Sequence, residues 1–284
     1  MLDEIIIPNF LVVGATKAAT TWLYQCLNLH PEVFVPSLKE VNYFSDRYDR
    51  GNQWYLSYFK NVRDEKAVGE LSPSYLTSDR SPQRIYNFNP NIRLIFMLRN
   101  PIERAYSHYC MELRYQTVSE NIDRECNLES IVVQEGLYYQ HISKFTRLFP
   151  RENLKFIIYD DVKTKPKQVL ANLFGFLGVN PEFDNADLFK QHYTKQPRQR
   201  FDRLYISLVA IYRWLNNNSQ LGRKILSTFK DKGLNDTFHQ LNSVEKEYPQ
   251  FSPSKKKELA NFYREDVRQL SVLLDRDMTY WLSV

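Results

Sequence analysis

The stretch Phe10-Leu11-Val12-Val13-Gly14-Ala15-Thr16-Lys17-Ala18-Ala19-Thr20-Thr21-Trp22-Leu23 decides the fold. Its four leading apolar residues, set between Pro8 and Gly14, read as a buried strand. Trp22, Leu23, Cys26 and Leu27 then recur at helical spacing until His30-Pro31 ends the pattern. Between strand and helix lies a loop of small residues and hydroxyls around one lysine. At such junctions backbone N–H groups and the helix dipole create an anion site. Ala18 and Ala19 let a ligand approach the main chain, Thr20 and Thr21 offer hydroxyls and helix-start amides, and Lys17 brings a mobile positive charge. The plainer alternative is an ordinary helix start with a surface lysine. The Walker A order G-x-x-x-x-G-K-[ST] is not met, because the second glycine is missing and Lys17 stands three residues after Gly14.

Working outward, the same unit recurs twice. Arg93 to Leu98 is a β-branched and aromatic run followed by Arg99-Asn100-Pro101 and a helical stretch from Ile102 to Leu113. Leu154 to Tyr159 runs into Asp160-Asp161, with a helix from Pro166 to Leu177. Strands that are continuous hydrophobic runs, each followed by a helix, predict an α/β fold with a central parallel sheet flanked by helices. In such sheets ligands sit outside the carboxyl ends of the strands, so the loops after Val13 and Leu98 are where a site is expected. Arg99 at the second strand end, with Ser107 on the helix beyond it, suggests a second anion site; a structural turn with a helix-surface arginine is the alternative. In the last third, Leu204 to Leu215 is apolar almost all round, and 219–250 is polar without clear period. Ser252-Pro253 then opens a helix in which Leu259, Phe262, Tyr263, Val267, Leu270 and Leu274 keep a three-four spacing.

Composition bounds the function. The chain has 284 residues, of which 43% are hydrophobic, 25% charged and 14% aromatic, which excludes a disordered, collagen-like or low-complexity protein. A formal charge of +5 is too mild for a nucleic-acid coat but suits an anionic small ligand. Cys26, Cys110 and Cys126 form no C-x-x-C pair, so neither a disulfide framework nor a zinc site is expected, and no metal. The acidic start Met1-Leu2-Asp3-Glu4, followed by an apolar stretch that Pro8 interrupts, is not expected to be a signal peptide, and no run approaches the roughly 18 apolar residues of a membrane span. The expectation is a soluble, cytoplasmic protein with no nucleic-acid or membrane partner.

The loop at 14–21 and the Arg99-Asn100-Pro101 turn, taken together, resemble the sulfotransferases that use 3′-phosphoadenosine 5′-phosphosulfate, whose K-x-G-T-T-x-L-like and R-[DN]-P-x-x-R-x-x-S-like loops hold the two ends of the donor. The resemblance extends to Leu29-His30-Pro31-Glu32-Val33, Lys39-Glu40-Val41-Asn42-Tyr43-Phe44, Ser72-Pro73-Ser74-Tyr75 and the segment from Pro249 to Trp281. It implies a single P-loop-like sulfotransferase domain over 1–284 with a helical C-terminal insertion at about 199–245. Lys17, Ala18, Ala19, Thr20 and Thr21 would cradle the 5′-phosphosulfate, and Arg99 with Ser107 the 3′-phosphate. Ala18-Ala19 departs from the Ser-Gly or Gly-Gly common in the family. Lys-Glu-x-x-Tyr-Phe in place of a catalytic histidine motif resembles the heparan-sulfate-type and bacterial small-molecule branch.

On that resemblance Glu40 is the catalytic base and Lys17 its electrophilic partner, with a solvated Glu40 paired to Lys39 as the alternative. Trp22 is expected to stack on adenine or else to be core, Lys195 and Arg198 to add phosphate contacts, and Glu70 and Asn42 to face the acceptor. His30 and His108 read as structural. The acceptor is expected to be a small molecule, with a carbohydrate as the alternative; no metal is required, and the product nucleotide is 3′-phosphoadenosine 5′-phosphate. Leu204–Leu215 is a candidate homodimer surface or acceptor cover. The rivals are a P-loop kinase or nucleoside triphosphatase using ATP and Mg²⁺, with Asp160 as a Walker B aspartate, and a catalytically silent nucleotide-binding module.

Overall fold

The computed structural model describes residues 6–189, 198–199, 243–244 and 247–283. The chain divides into two compact units, one comprising Met1–Ala105, Leu128–His192 and Pro253–Val284, the other Tyr106–Asn127 and Tyr193–Ser252. The expected insertion at 199–245 falls in the second unit. Most of it, Leu204–Leu215 included, lies outside the described residues.

The first unit is built on β1 (Phe10–Gly14), β2 (Val33–Phe34), β3 (Ala67–Leu71), β4 (Arg93–Leu98) and β5 (Leu154–Ile158). They form one sheet in the order β2-β3-β1-β4-β5, and every pairing is parallel. Val12 lies opposite Leu71 on one side and Ile95 on the other, so the ends of β1, β3 and β4 share one edge. Every residue of β1 and β3 is buried, as are Leu94–Leu98 of β4. Such runs belong to a sheet covered on both faces. Three of these strands are legible as apolar runs, whereas β2 and β3 are not. In β3 a glycine and a glutamate interrupt the pattern, and Gly69 is needed there because a Cβ would collide with the Phe10 carbonyl and ring.

Among the described residues the α-helices are α1 (Thr20–Leu29), α2 (Tyr43–Asp46), α3 (Gly51–Leu56), α4 (Ser81–Phe88), α5 (Pro101–Arg114), α6 (Ile122–Glu125), α7 (Ile131–Gln134), α8 (Tyr138–Thr146), α9 (Tyr159–Thr164), α10 (Pro166–Leu177) and α11 (Pro253–Leu274). On α11, Leu259, Tyr263, Val267 and Leu270 are buried, while Phe262 and Leu274 are half-buried. From the same helix, Asp266 accepts from the Tyr139 and Gln140 amides, both at 3.0 Å, and so caps the start of α8. Beyond α11, Trp281 Nε1 (2.9 Å) and the Tyr280 hydroxyl (3.0 Å) both donate to Asp160, and Arg276 pairs with Asp161. No helix among the described residues is long and apolar enough to cross a membrane.

Burial raises the Asp266 carboxyl to about 6. The protonated form is therefore favoured in the fold, and the stability this gives is full below about pH 4 and lost as pH rises through about 6. Measured against Asp266→Asn, the wild-type unfolding free energy is expected to fall by on the order of 2–3 kcal/mol across that window. Parallel pH profiles of the two proteins would contradict the assignment.

Candidate functional site

The loop leaving β1 is shaped by backbone constraints. Gly14 has φ 146°, and a Cβ there would lie 2.7 Å from Leu76 Cβ and 2.9 Å from the Pro73 carbonyl. The Ala15 amide donates to Met97 O at 2.7 Å, and the Ser72 and Leu76 amides donate to Val12 O (3.0 Å) and Val13 O (2.8 Å). The loop is thus held between the ends of β3 and β4. Lys17 and Ala19 take left-handed φ values of 66° and 71°, a geometry found in anion-binding backbone concavities. Ala19 is the N-cap of α1, makes no side-chain capping bond, and no acid lies in the first turn. The first amides of α1 therefore have no cap acceptor, and the positive end of its dipole is not neutralised locally.

Glu40 follows at the same sheet edge, its amide donating to Leu71 O at 3.1 Å. Its carboxylate pairs with Lys39 Nζ at 3.1 Å and is 48% exposed. The same ammonium donates to Thr21 Oγ1 at 2.9 Å. Lys39, which the sequence offered only as a surface partner, thereby joins the proposed base to the first turn of α1. Asn42 Oδ1 accepts from Ser74 Oγ at 2.9 Å, and Ser45 Oγ lies 3.0 Å from Ser74 Oγ.

Glu70, expected to face the acceptor, is only 1% exposed. Its oxygens accept from Ser72 Oγ (2.7 Å) and the Tyr75 hydroxyl (2.6 Å). Burial removes it from direct contact with an acceptor in this structure, which corrects that expectation. Desolvation pushes its carboxyl to about 7, and the charge of Glu40 adds to the rise; donation from Tyr75, Ser72 and the Val41 amide opposes it.

Arg99 closes β4. Asn100 Oδ1 accepts from the Ile102 (2.9 Å) and Glu103 (3.3 Å) amides, so Asn-Pro starts α5 with a built-in cap. The Asn100 side chain also donates to Trp281 O at 2.8 Å. The Arg99 guanidinium is engaged by Glu103 at 3.0 Å and lies over the Tyr159 ring at 4.9 Å. Arg104, on the helix that follows, is fully buried and pairs with Glu135 at 3.0 Å, so it is not the helix-surface arginine of the alternative reading. Ser107 is half-buried on α5 and belongs to the second unit.

The other candidates divide. Trp22 is 5% exposed and its indole N–H donates to Leu188 O at 3.3 Å, which corrects the stacking expectation, because no indole face is left for a base. His30 is buried; its Nδ1 accepts from the Glu32 amide (3.1 Å), so Nε2 carries the proton toward Asn180 O (3.0 Å). His108 is buried 3.5 Å from Glu112 on its own helix. Lys195 lies outside the described residues, and Arg198 is described only as part of a two-residue strand. None of the three cysteines is in a disulfide, and burial pushes the Cys26 thiol up to about 12. Among the described residues no cluster of three or more His, Cys, Asp or Glu is placed to hold a metal.

A left-handed alanine costs roughly 1–2 kcal/mol, partly offset by the lower entropy of the unfolded chain. Ala19→Gly is therefore expected to stabilise the protein by roughly 0.5–1 kcal/mol in chemical denaturation. A destabilised variant would show that Ala19 is not strained.

Comparison with known proteins bears on the family and the fold. A mouse heparan sulfate glucosamine 3-O-sulfotransferase 6 is 29% identical over 180 residues, covering 61% of this chain and 52% of that protein. A membrane-associated sulfotransferase of Dictyostelium discoideum, kil1, is 31% identical over 133 residues, covering 46% of this chain and 28% of that protein. The chain thus spans about half or less of the length of these curated relatives. The crystal structure of a sulfotransferase from Alicyclobacillus acidocaldarius shares the fold, with a TM-score of 0.70 at 24% identity over 98% of this chain and 99% of that one. A mouse sulfotransferase, SULT7A1, solved with PAP has a TM-score of 0.52 at 14% identity, covering 97% of this chain and 87% of that one. The sulfotransferase domain model matches residues 8–271, and with the uncapped helix start, the lysine loop and the arginine turn on one sheet edge, the chain belongs to the sulfotransferase family.

Proposed function

We propose that this chain moves a sulfuryl group from 3′-phosphoadenosine 5′-phosphosulfate to a hydroxyl or amine of an acceptor by in-line displacement. One observation carries the proposal: Lys39 Nζ bridges the Glu40 carboxylate and Thr21 at the uncapped start of α1, so an anion-binding helix end and a half-exposed carboxylate meet at one place. The residues fit the donor, because free first-turn amides, Lys17 and two threonine hydroxyls suit a phosphosulfate.

In this proposal the α1 amides, Lys17, Ala18, Ala19, Thr20 and Thr21 hold the 5′-phosphosulfate. Arg99 takes the 3′-phosphate, with Ser107 assigned beside it by family resemblance; Lys195 and Arg198 are further phosphate contacts on the same basis. Glu40 removes the proton from the acceptor as its oxygen or nitrogen bonds to sulfur. The bond between sulfur and the bridging phosphate oxygen breaks, and Lys17 with the α1 dipole neutralises the charge left there. No step needs a metal. Asn42, beside Glu40, faces the acceptor. The acceptor is a small molecule in this account; a carbohydrate is the second reading, favoured by relatives named as heparan sulfate sulfotransferases. A cytoplasmic location and a second copy docked on Leu204–Leu215 complete the proposal. A kinase reading is disfavoured because Asp160 and Asp161 are engaged by Lys163, Tyr280, Trp281 and Arg276.

Calorimetric titration tests the donor site. 3′-Phosphoadenosine 5′-phosphate is expected to bind without Mg²⁺ and far more tightly than AMP, and Arg99→Ala to weaken it at least about tenfold, in line with a charge-assisted contact. Glu103→Gln is expected to tighten binding, since it releases the guanidinium from its present partner. Preference for ATP with Mg²⁺ would favour a kinase. In transfer assays against phenols, alcohols, amines and heparan oligosaccharides, Lys17→Ala and Glu40→Ala should each lower turnover by about 10²-fold or more, with nucleotide affinity nearly unchanged in Glu40→Ala. Normal turnover of Glu40→Ala would remove it as the base.

A further inference from the structure

Three backbone amides of one short turn, those of Glu40, Asn42 and Tyr43, are held by the end of β3 and the turn after it. Glu40 N donates to Leu71 O at 3.1 Å. Asn42 N donates to Ser72 Oγ and Tyr43 N to the Tyr75 hydroxyl, both at 2.9 Å. Those two hydroxyls donate in turn to Glu70 Oε2 and Oε1. One buried carboxylate therefore holds two successive amides, each through a hydroxyl relay. The segment it holds is strained, because Glu40 and Asn42 have φ values of 64° and 54°. Non-glycine residues keep such conformations only where their surroundings over-determine them.

We propose that Glu70 is the positioning residue of the reaction: its carboxylate sets the hydrogen-bond polarity that fixes the Glu40–Tyr43 turn and so aims the Glu40 side chain at the acceptor. This rests on Glu40 being the base. The relays run one way only while Glu70 is ionised. A hydroxyl that accepts from an amide must send its own proton elsewhere, and an ionised carboxylate is acceptor-only. A protonated Glu70 becomes a donor itself and leaves one relay hydroxyl without an acceptor. The ionisable groups facing Glu70 are Glu40 from the turn, Tyr75 after β3 and Tyr55 on α3. Both phenols are held well above their ordinary range by burial and so stay neutral. With the Glu70 carboxyl raised to about 7, loosening of the turn is expected as pH falls below that value.

The test needs no acceptor. Amide hydrogen exchange of the full chain, corrected for intrinsic rates, should show Asn42 and Tyr43 exchanging at least about tenfold faster at pH 5.5 than at pH 8. In Glu70→Gln they should exchange fast at both values. If that variant does not fold, Ser72→Ala should deprotect Asn42 alone and Tyr75→Phe Tyr43 alone. Kinetics then read the catalytic consequence, as bisphosphate release from the sulfated donor with a heparan oligosaccharide, or with water, as acceptor. Glu70→Gln, or the single-relay variants in its place, should lower kcat at least about tenfold with donor affinity unchanged and move the acid limb of the kcat profile, and Glu70→Asp should restore part of kcat. Protection that survives in these variants overturns the proposal, as does lost protection with wild-type kcat and pH profile. Full turnover in Glu40→Gln would instead overturn the base assignment on which the proposal rests.

Discussion

Everything at the site depends on β1 being clamped in parallel between β3 and β4. Parallel pairing sends three strand ends to one edge, and the register sets Val12 level with Leu71 and Ile95. Each strand end then delivers a different group: the lysine loop from β1, the buried glutamate and its hydroxyl relays from β3, and the arginine turn from β4. The clamp has strict steric terms. Gly14 has no room for a Cβ against Leu76 and Pro73, and Gly69 none against Phe10. Two of only 8 glycines are thus spent where neighbouring chain segments approach most closely.

Around that edge the chain uses buried charge to fix geometry. Glu70 and Arg104 are both almost without solvent contact: Glu70 accepts from Ser72 and Tyr75 in the turn after its own strand, which pass the tie on to the Asn42 and Tyr43 amides, and Arg104 pairs with Glu135 from a distant segment. A lone buried charge costs several kcal/mol, so each such group persists only while its partners stay in place. That makes them staples between elements rather than sources of net stability. Just after β5 the half-buried Asp160 also ties segments together, receiving Lys163, Tyr280 and Trp281, and Asn100 extends the tie from Trp281 to the arginine turn. The chain's last turn thereby braces a motif some 180 residues earlier.

Much of the fold is legible in the sequence, because β1, β4 and β5 are continuous apolar runs and α10 and α11 are bounded by proline starts and three-four spacing. The strand β3 escapes notice for a physical reason: Ala67-Val68-Gly69-Glu70-Leu71 carries a glycine for close approach and a carboxylate for a buried network, both of which break apolar periodicity. Likewise the lysine loop and the arginine turn announce themselves through residue type and spacing. The tie between Lys39 and Thr21, and the amides held by the β3 end, do not, since they join residues far apart in the sequence through contacts that only the fold creates. Trp22 shows the opposite failure, a side chain well suited to a base that the packing under Leu188 consumes.

The most direct test of the central claim is a crystal structure with 3′-phosphoadenosine 5′-phosphate. The 5′-phosphate is expected on the first amides of α1 beside Lys17 and Lys39, and the 3′-phosphate on an Arg99 guanidinium that has left Glu103. A nucleotide seated elsewhere, with Lys39 still bridging Glu40 and Thr21 and Arg99 still on Glu103, would contradict it.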